Sequence, residues 1–443
     1  MSVLGMAVVA ACAREGDVPC DGEFRPDLGE LCDDGNSSDG DGCDCATRGI
    51  SLAPSPMSTS APQVVVEDGA WCWFQDERVI ADQDGAGHER LVIASMSHGG
   101  DVQVSSLLLD SGDRTLAHLQ TRMERDDHDT PSLLPLADGR IAAYFTRHDG
   151  FPYLYTQFTE HDGDVTAWSR KSRGEFYYDV TYTNPFVLAE NPHELLMFIR
   201  GVDTSPTLLF SSDDGRSWSD GTQLLAVGER GYDGRVFDHR PYVKYASDGE
   251  KVHLFYTDGH PAEFRRNSIH HLIYRNRALY QSDNTTKVAS AGPDNQPQLD
   301  PGRGTLVYDG AAQPGGQAWT WDAAVDAVGN PVTVFSTFPD PDPARWFYDH
   351  QYRYATWSNG AWHVRTIAYA GTGIYQAEGF YSGGIALDPD DPRIVYFASN
   401  VDPVTGAQTA SGVFEIYRGI TNDDGATWSI TAITSGSRVS NLR

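Results

Sequence analysis

The sequence lacks any apolar run long enough to cross a bilayer as a helix. The apolar stretch at its start, MSVLGMAVVAACA at residues 1–13, falls short of that length. Basic charge is scarce as well. Lys and Arg total 33 against 62 Asp and Glu, a formal charge of −29, which argues against nucleic acid or an anionic membrane as the main partner. From Val64 onward no segment sustains a helical apolar period, so a helical bundle is excluded. Cysteine is almost absent from that region, with Cys72 standing alone between Trp71 and Trp73 as a buried-thiol candidate. What is abundant is aromatic: 10 Trp and 21 Tyr in a chain 40% hydrophobic can build a large core rich in rings.

The first 63 residues divide into three pieces. Residues 1–13 suit a signal h-region ending in small residues, and Val9-Ala10-Ala11-Cys12 resembles a bacterial lipobox, although no Lys/Arg region precedes it. Lipidation of Cys12 would tether the mature protein to a membrane, making it a secreted or outer-surface lipoprotein. Residues 14–47 carry Cys20, Cys32, Cys43 and Cys45 among Gly and Asp, with too little apolar material for a core. Such a piece requires covalent staples and an oxidising compartment; two disulfides are expected, in any of three pairings. The stretch GELCDDGNSSDGDGC resembles the small cysteine-rich repeat of exported myxobacterial proteins. Its alternating Asp could ligate calcium, but the glutamate that closes an EF-hand loop is missing. Residues 48–63, rich in Ser, Pro, Ala and Thr, read as a linker.

Residues 64–443 read as one all-β domain. Runs such as Arg90–Ser95 and Lys251–Tyr256 recur between Asp-Gly turns at strand spacing. Ser211-Ser212-Asp213-Asp214-Gly215-Arg216-Ser217-Trp218 fits the Asp-box pattern S/T-x-D-x-G-x-x-W, and Thr421-Asn422-Asp423-Asp424-Gly425-Ala426-Thr427-Trp428 fits it again. Two matches far apart in one chain point to radial repetition, hence a β-propeller. The box is a structural turn, with its Trp packing between blades.

Polar residues stand just outside consecutive strands: His128 in HDTPSLL, His148 in FTRHDG, Tyr182 and Asn184 in TYTNPFVL, Arg200 closing LLMFIRG, Arg240 and Tyr242 in RPYVKY, and His260 in FYTDGHP. Ends of successive blades converge on one face of a propeller, so these residues can share a pocket. The succession HDTPSLLPLADGR, RHDG, TYTNPFVL, LMFIRG, RPYVKYASDG, YTDGHP and NSIHHLIYRN resembles the ulvan lyases of polysaccharide lyase families 24 and 25, within the broader BNR-repeat group. That resemblance implies a seven-bladed propeller that cuts sulfated rhamnose–uronate chains by β-elimination. It implies Arg200 as neutraliser of the uronate carboxylate, His128 as base, Tyr182 as acid or alternative base and His148 as the second site histidine. Asn184, Arg240 and Tyr242 become substrate-binding candidates, and His260 and His271 candidate ligands of a structural zinc.

These residue types suit the reaction. Arg grips carboxylates in a two-pronged fashion, His takes up protons near neutrality, and a Tyr hydroxyl can protonate a departing oxygen. The acidic surplus must then lie away from the site, which carries its own cluster of Arg and His. Two other readings stand beside the lyase: a non-catalytic propeller that binds acidic glycans, and a sialidase-like glycoside hydrolase. The sialidase opening motif is missing, and a hydrolase needs a carboxylate pair, for which Glu378 is the first residue to test. A closed propeller leaves few strand edges, so a monomer is expected.

Overall fold

The computed structural model describes residues 51–52, 64–148, 150–226, 240–262, 266–312, 316–338, 349–375 and 378–442. Six antiparallel sheets follow one another along the chain as the blades of a propeller. Blade I comprises Val79–Gln83, Glu89–Met96, Val102–Leu108 and Arg114–Gln120. Blade II comprises Ser132–Pro135, Ile141–Phe145, Tyr153–Phe158 and Ser172–Glu175. Blade III comprises Thr181–Val187, Leu195–Arg200, Pro206–Ser211 and Thr222–Gln223. Blade IV is larger: Val243–Ser247, Val252–Thr257 and Ile269–Arg275 are followed by Ala278–Tyr280, Lys287–Ser290 and Thr305–Tyr308. Blade V holds Gln317–Val325, Pro331–Phe338, His350–Ser358 and Ala361–Gly371. Blade VI holds Ile385–Leu387, Ile394–Ser399, Glu415–Ile420 and Ser429–Ala432, with Ser51–Leu52 parallel to its last strand.

The expected seven blades are therefore corrected to six among the described residues. The count of seven came with the resemblance. The stretch 278–308, strand material enough for a further blade, instead extends blade IV: Ala278–Tyr280 and Thr305–Tyr308 both pair with Ile269–Arg275, at opposite ends of that strand. The expected disulfide-rich module, residues 14–47, lies outside the described residues. No disulfide is found among the described residues, where Cys72 is a buried free thiol. Cys12, Cys20, Cys32, Cys43 and Cys45 lie outside them, as do the lipobox and calcium expectations.

Blades stack face to face, so their middle strands are buried on both sides and lose polar alternation. Ile141–Phe145 and Leu195–Arg200 are buried throughout. The two Asp boxes close the turns between third and fourth strands. Asp213 accepts hydrogen bonds from Ser211, Ser217 and the Ser217 backbone, while the Gly215 N–H donates to Ser211 Oγ at 2.8 Å. Gly215 has φ 85°, and a Cβ there would stand 2.7 Å from both Trp218 and Tyr144 of blade II, so glycine is required. The Thr421–Trp428 box repeats these bonds, with Trp428 edge-on to Tyr354 of blade V at 5.1 Å.

The segment before blade I fills the propeller's axis. Phe74 O and the Asp76 N–H bond Asn184 of blade III. Trp73 O accepts from the Lys244 ammonium of blade IV at 2.7 Å, and the Trp73 ring stacks on Trp321 of blade V at 4.8 Å and meets Tyr381, before blade VI, at 5.2 Å. Gln75 Nε2 donates to His128 O, ahead of blade II. A segment touching the inner rims of five blades can only lie at their common centre. The buried Lys244 ammonium is paired there with the Asp76 carboxylate.

Candidate functional site

In an antiparallel blade, the second-to-third turns and the links from an outer strand to the next inner strand share one end. His128 lies on the link between blades I and II, His148 on the second-to-third turn of blade II, and Tyr182 at the start of blade III's inner strand. Arg200 closes blade III's second strand, Tyr242 directly precedes blade IV, and His260 follows blade IV's second strand. All six face the same end of the propeller, while the Asp boxes face the other.

The structure brings these residues into one cluster. The His128 and His148 rings stack at 3.7 Å, 6° from parallel. The Tyr182 ring lies 5.2 Å from His128, and the Arg200 guanidinium stands over Tyr182 at 4.7 Å. Arg200 Nη1 also donates to the Tyr242 hydroxyl at 3.5 Å. The Tyr242 ring continues the array to His260 at 5.5 Å and Trp319 at 4.9 Å. Tyr182 is held here by backbone as much as by packing: its φ is 61°, at a bulge between Thr181 and Asn184. A bulky residue in the left-handed region persists only where surrounding contacts over-determine it.

Asp126 organises the histidine pair. Its Oδ1 accepts from the His128 backbone N–H at 3.0 Å and meets His128 Nδ1 at 2.5 Å, and its Oδ2 lies 2.8 Å from His148 Nδ1. Asp127 Oδ1 is a further 2.8 Å partner of His128 Nδ1. Burial alone would lower the His128 pKa, but the bonds to Asp126 and Asp127 overturn it and lift the imidazole to about 9. Asp126 is itself resisted by burial, yet its two histidine partners hold it well below the carboxylate range. Burial, then Glu124 and Asp126, pushes Asp129 up to about 8, and its buried carboxyl makes no hydrogen bond. His260 moves the opposite way, down to about 4, through burial and the charges of Arg240 and Arg200. Tyr182 is raised well above 10 by burial, against the pull of Arg200.

Two expected site residues sit differently. Asn184 is 1% exposed and its amide is committed to the backbone of Phe74, Tyr182 and Asp76, so it holds the floor of the site together. His271 lies in the body of blade IV, bonded to His253 at 2.9 Å and Ser282 at 2.8 Å, and packed against Phe255 and Trp362. His260 instead meets Tyr242, Trp319 and Phe380. The two share no neighbour, so they do not fit a common zinc. The groups with metal-ligand geometry among the described residues are Cys72–Asp127–His128 and Asp126–His128–His148. In the first, burial and then Asp127 push the Cys72 thiol up to about 12, the reverse of what thiolate ligation needs. Arg240 stands near enough for its charge to act on His260. Glu378 is exposed on the link before blade VI, its N–H bonded to Tyr375 O.

The sequence reading missed Asp126, Asp127 and the axial Trp73–Phe74 pair. Asp126 carried a local signal: an Asp two residues before His128 can cap its own turn, as it does here. A separate cavity of about 790 Å³ opens on the opposite end, lined by residues such as Leu133, Pro185, Phe186 and Ala324. It contains none of the cluster.

Fold and cluster together define a six-bladed propeller presenting a guanidinium, three imidazoles and two phenols on one face. The chain belongs to the BNR repeat-containing family, whose model matches residues 92–370. No curated protein matches it. Among solved structures, it is similar to a PL25 ulvan lyase of a new polysaccharide lyase family, with a TM-score of 0.59 at 13% identity over 82% of this chain and 84% of that one. The same enzyme bound to -[GlcA(1-4)Rha3S]- matches with a TM-score of 0.59 at 13% identity, covering 83% and 84%. AofleA from Arthrobotrys oligospora matches with a TM-score of 0.40 at 10% identity, covering 88% and 95%.

Proposed function

We propose that this protein is a polysaccharide lyase that cuts an acidic, uronate-containing chain of the ulvan type by β-elimination. The observation that supports this reading is the contiguous array Arg200–Tyr182–His128–His148, in which a fixed cation, a phenol and two imidazoles adjoin at successive spacings of 4.7, 5.2 and 3.7 Å. Arg200, with the Tyr242 hydroxyl beside it, receives the uronate carboxylate and stabilises the charge that builds there as the neighbouring carbon loses its proton. His128, lifted to about 9, adds a second positive charge at neutral pH. That moves the base from His128, where the sequence reading put it, to His148. The Nδ1 of His148 is held on Asp126, a tautomer that leaves the lone pair on Nε2.

The proton at C5 passes to His148. The C5–H electron pair becomes the C4–C5 double bond as the C4–O bond breaks, and the departing oxygen takes the Tyr182 hydroxyl proton. Burial keeps Tyr182 a neutral phenol and therefore a donor. The same cluster could bind acidic glycans without cutting them, and one assay separates the two readings. Incubation with ulvan should raise ultraviolet absorbance from the conjugated unsaturated uronate. Tyr182→Phe should lower that rate by about a hundredfold or more with little change in the thermal melt. Binding without absorbance growth would leave only the glycan-binding reading, and new reducing ends without absorbance would mean hydrolysis.

A further inference from the structure

The cavity on the end opposite the His–Tyr–Arg cluster takes no part in the reading above. Leu136, Phe186, Ser247, Val325 and Pro389 bring to it the far ends of blades II, III, IV, V and VI, so it lies over the axial segment, which contributes Glu77. Its volume of about 790 Å³ is that of a small-molecule site. Much of its lining is apolar, and the charged residues among the described lining are all acidic: Glu77, Asp138 and Asp214.

The three acids are not equivalent. Asp138 is paired with Arg140 at 2.7 Å and Asp214 with Arg216 at 3.1 Å. The Glu77 carboxyl has neither a hydrogen bond nor an ion pair among the described residues. Glu77 is exposed, yet burial, then the charges of Asp76 and Asp322, push its carboxyl up to about 7. Both hold because the surface it exposes lies in the cavity, where water reaches the group while protein surrounds it. Lys244 and Arg78 oppose that rise, but Asp76 engages both of them. Two cations thus serve three carboxylates, and ionisation of Glu77 leaves one negative charge in excess.

We propose that this cavity is a binding site for a small organic ammonium ion, an apolar body bearing one cationic head that still carries N–H groups, with that head on Glu77. The N–H groups give the carboxylate the donors it lacks, and a charge-assisted bond of this kind is stronger than a neutral one. The head's single charge matches the single excess charge. Phe186, Leu136 and Val325 offer apolar surface to the body, and an anion is repelled by the same three acids. The site is independent of the glycan reading, and it gives the two ends of the propeller opposite charge preferences.

The test titrates the full chain by calorimetry at about pH 8, where Glu77 is ionised. The probes share one ring system: tryptamine, its neutral counterpart tryptophol and the anion indole-3-propionate. Tryptamine should bind about tenfold tighter than tryptophol or more, and indole-3-propionate should not bind. Glu77→Gln, with its thermal melt followed alongside, should weaken tryptamine about tenfold, to the level of tryptophol. Labelled methyl groups of Leu136, Val187 and Val325 should shift in NMR spectra on adding tryptamine, while those of Val202, on the cluster's end, should not. Three results overturn the proposal: tryptamine no tighter than tryptophol, a Glu77→Gln protein that melts as wild type and keeps its affinity, or methyl shifts confined to the end that carries Val202. Should Glu77→Gln fail to fold, the tryptamine-to-tryptophol ratio and the methyl shifts decide.

Discussion

Replacing Asp126 by Asn should change how His128 holds its proton. In the wild type, His128 rises from 6.5 to about 9 even though burial works against it. At ~1.4 kcal/mol for each tenfold change in proton affinity, that lift is worth about 3 kcal/mol. Asp126 and Asp127 share the work, and Asp127 remains in the variant with its oxygen 2.8 Å from Nδ1. The His128 titration midpoint should therefore fall by about one pH unit or somewhat more. Two measurements read this: the ring-proton NMR titration of His128, and the pH dependence of the elimination rate. The alkaline limb of that rate should move to lower pH in the variant, because the charge supplied by His128 is lost sooner. The stability sign follows from the same values. A folded-state pKa above the unfolded one contributes stability that is complete below about pH 6.5 and lost as pH rises through about 9. This component of the wild-type melting temperature should decline across that window, and the Asp126→Asn substitution should flatten the decline. An Asp126→Asn protein with an unmoved His128 midpoint and an unmoved alkaline limb would refute the assignment of Asp126 as a residue that holds the charge on His128.

Two substitutions test the floor beneath the cluster. Asn184→Ala should cost about 2–4 kcal/mol in a denaturant or thermal melt, because it strands buried backbone groups of Phe74 and Asp76; an unchanged melt with weakened oligosaccharide binding would mean that the amide contacts sugar instead. Lys244→Met should destabilise by about 2–4 kcal/mol, because the Asp76 carboxylate keeps only Arg78, at 3.4 Å, as a cationic partner; a neutral melt would show that Arg78 alone compensates Asp76.

What the sequence disclosed was whatever is decided locally. The Asp boxes are short turns whose hydrogen bonds run from Ser211 or Thr421 to an Asp two residues on, so a pattern of eight residues suffices to find them. His128, His148, Tyr182, Arg200, Tyr242 and His260 were readable because each sits where a strand stops, and strand ends of successive blades must meet. What depends on distant pairing was hidden. The number of blades turned on whether 278–308 formed its own sheet or extended blade IV, which only the pairing with Ile269–Arg275 decides. His271 was assigned beside His260, but the strand's alternation turns it toward Phe255 and Trp362. Cys72 read as a buried thiol between tryptophans, as it is, but nothing in the residues around it reveals that the blades close on them.

That central segment has a consequence for traffic. With Trp73, Phe74 and the Lys244–Asp76 pair stopping the bore of the ring, the face bearing Arg200 is a dead end. On the reading proposed above, a long saccharide would be draped over it rather than threaded, and the fragments of a severed strand would depart sideways through the door by which the intact one came in.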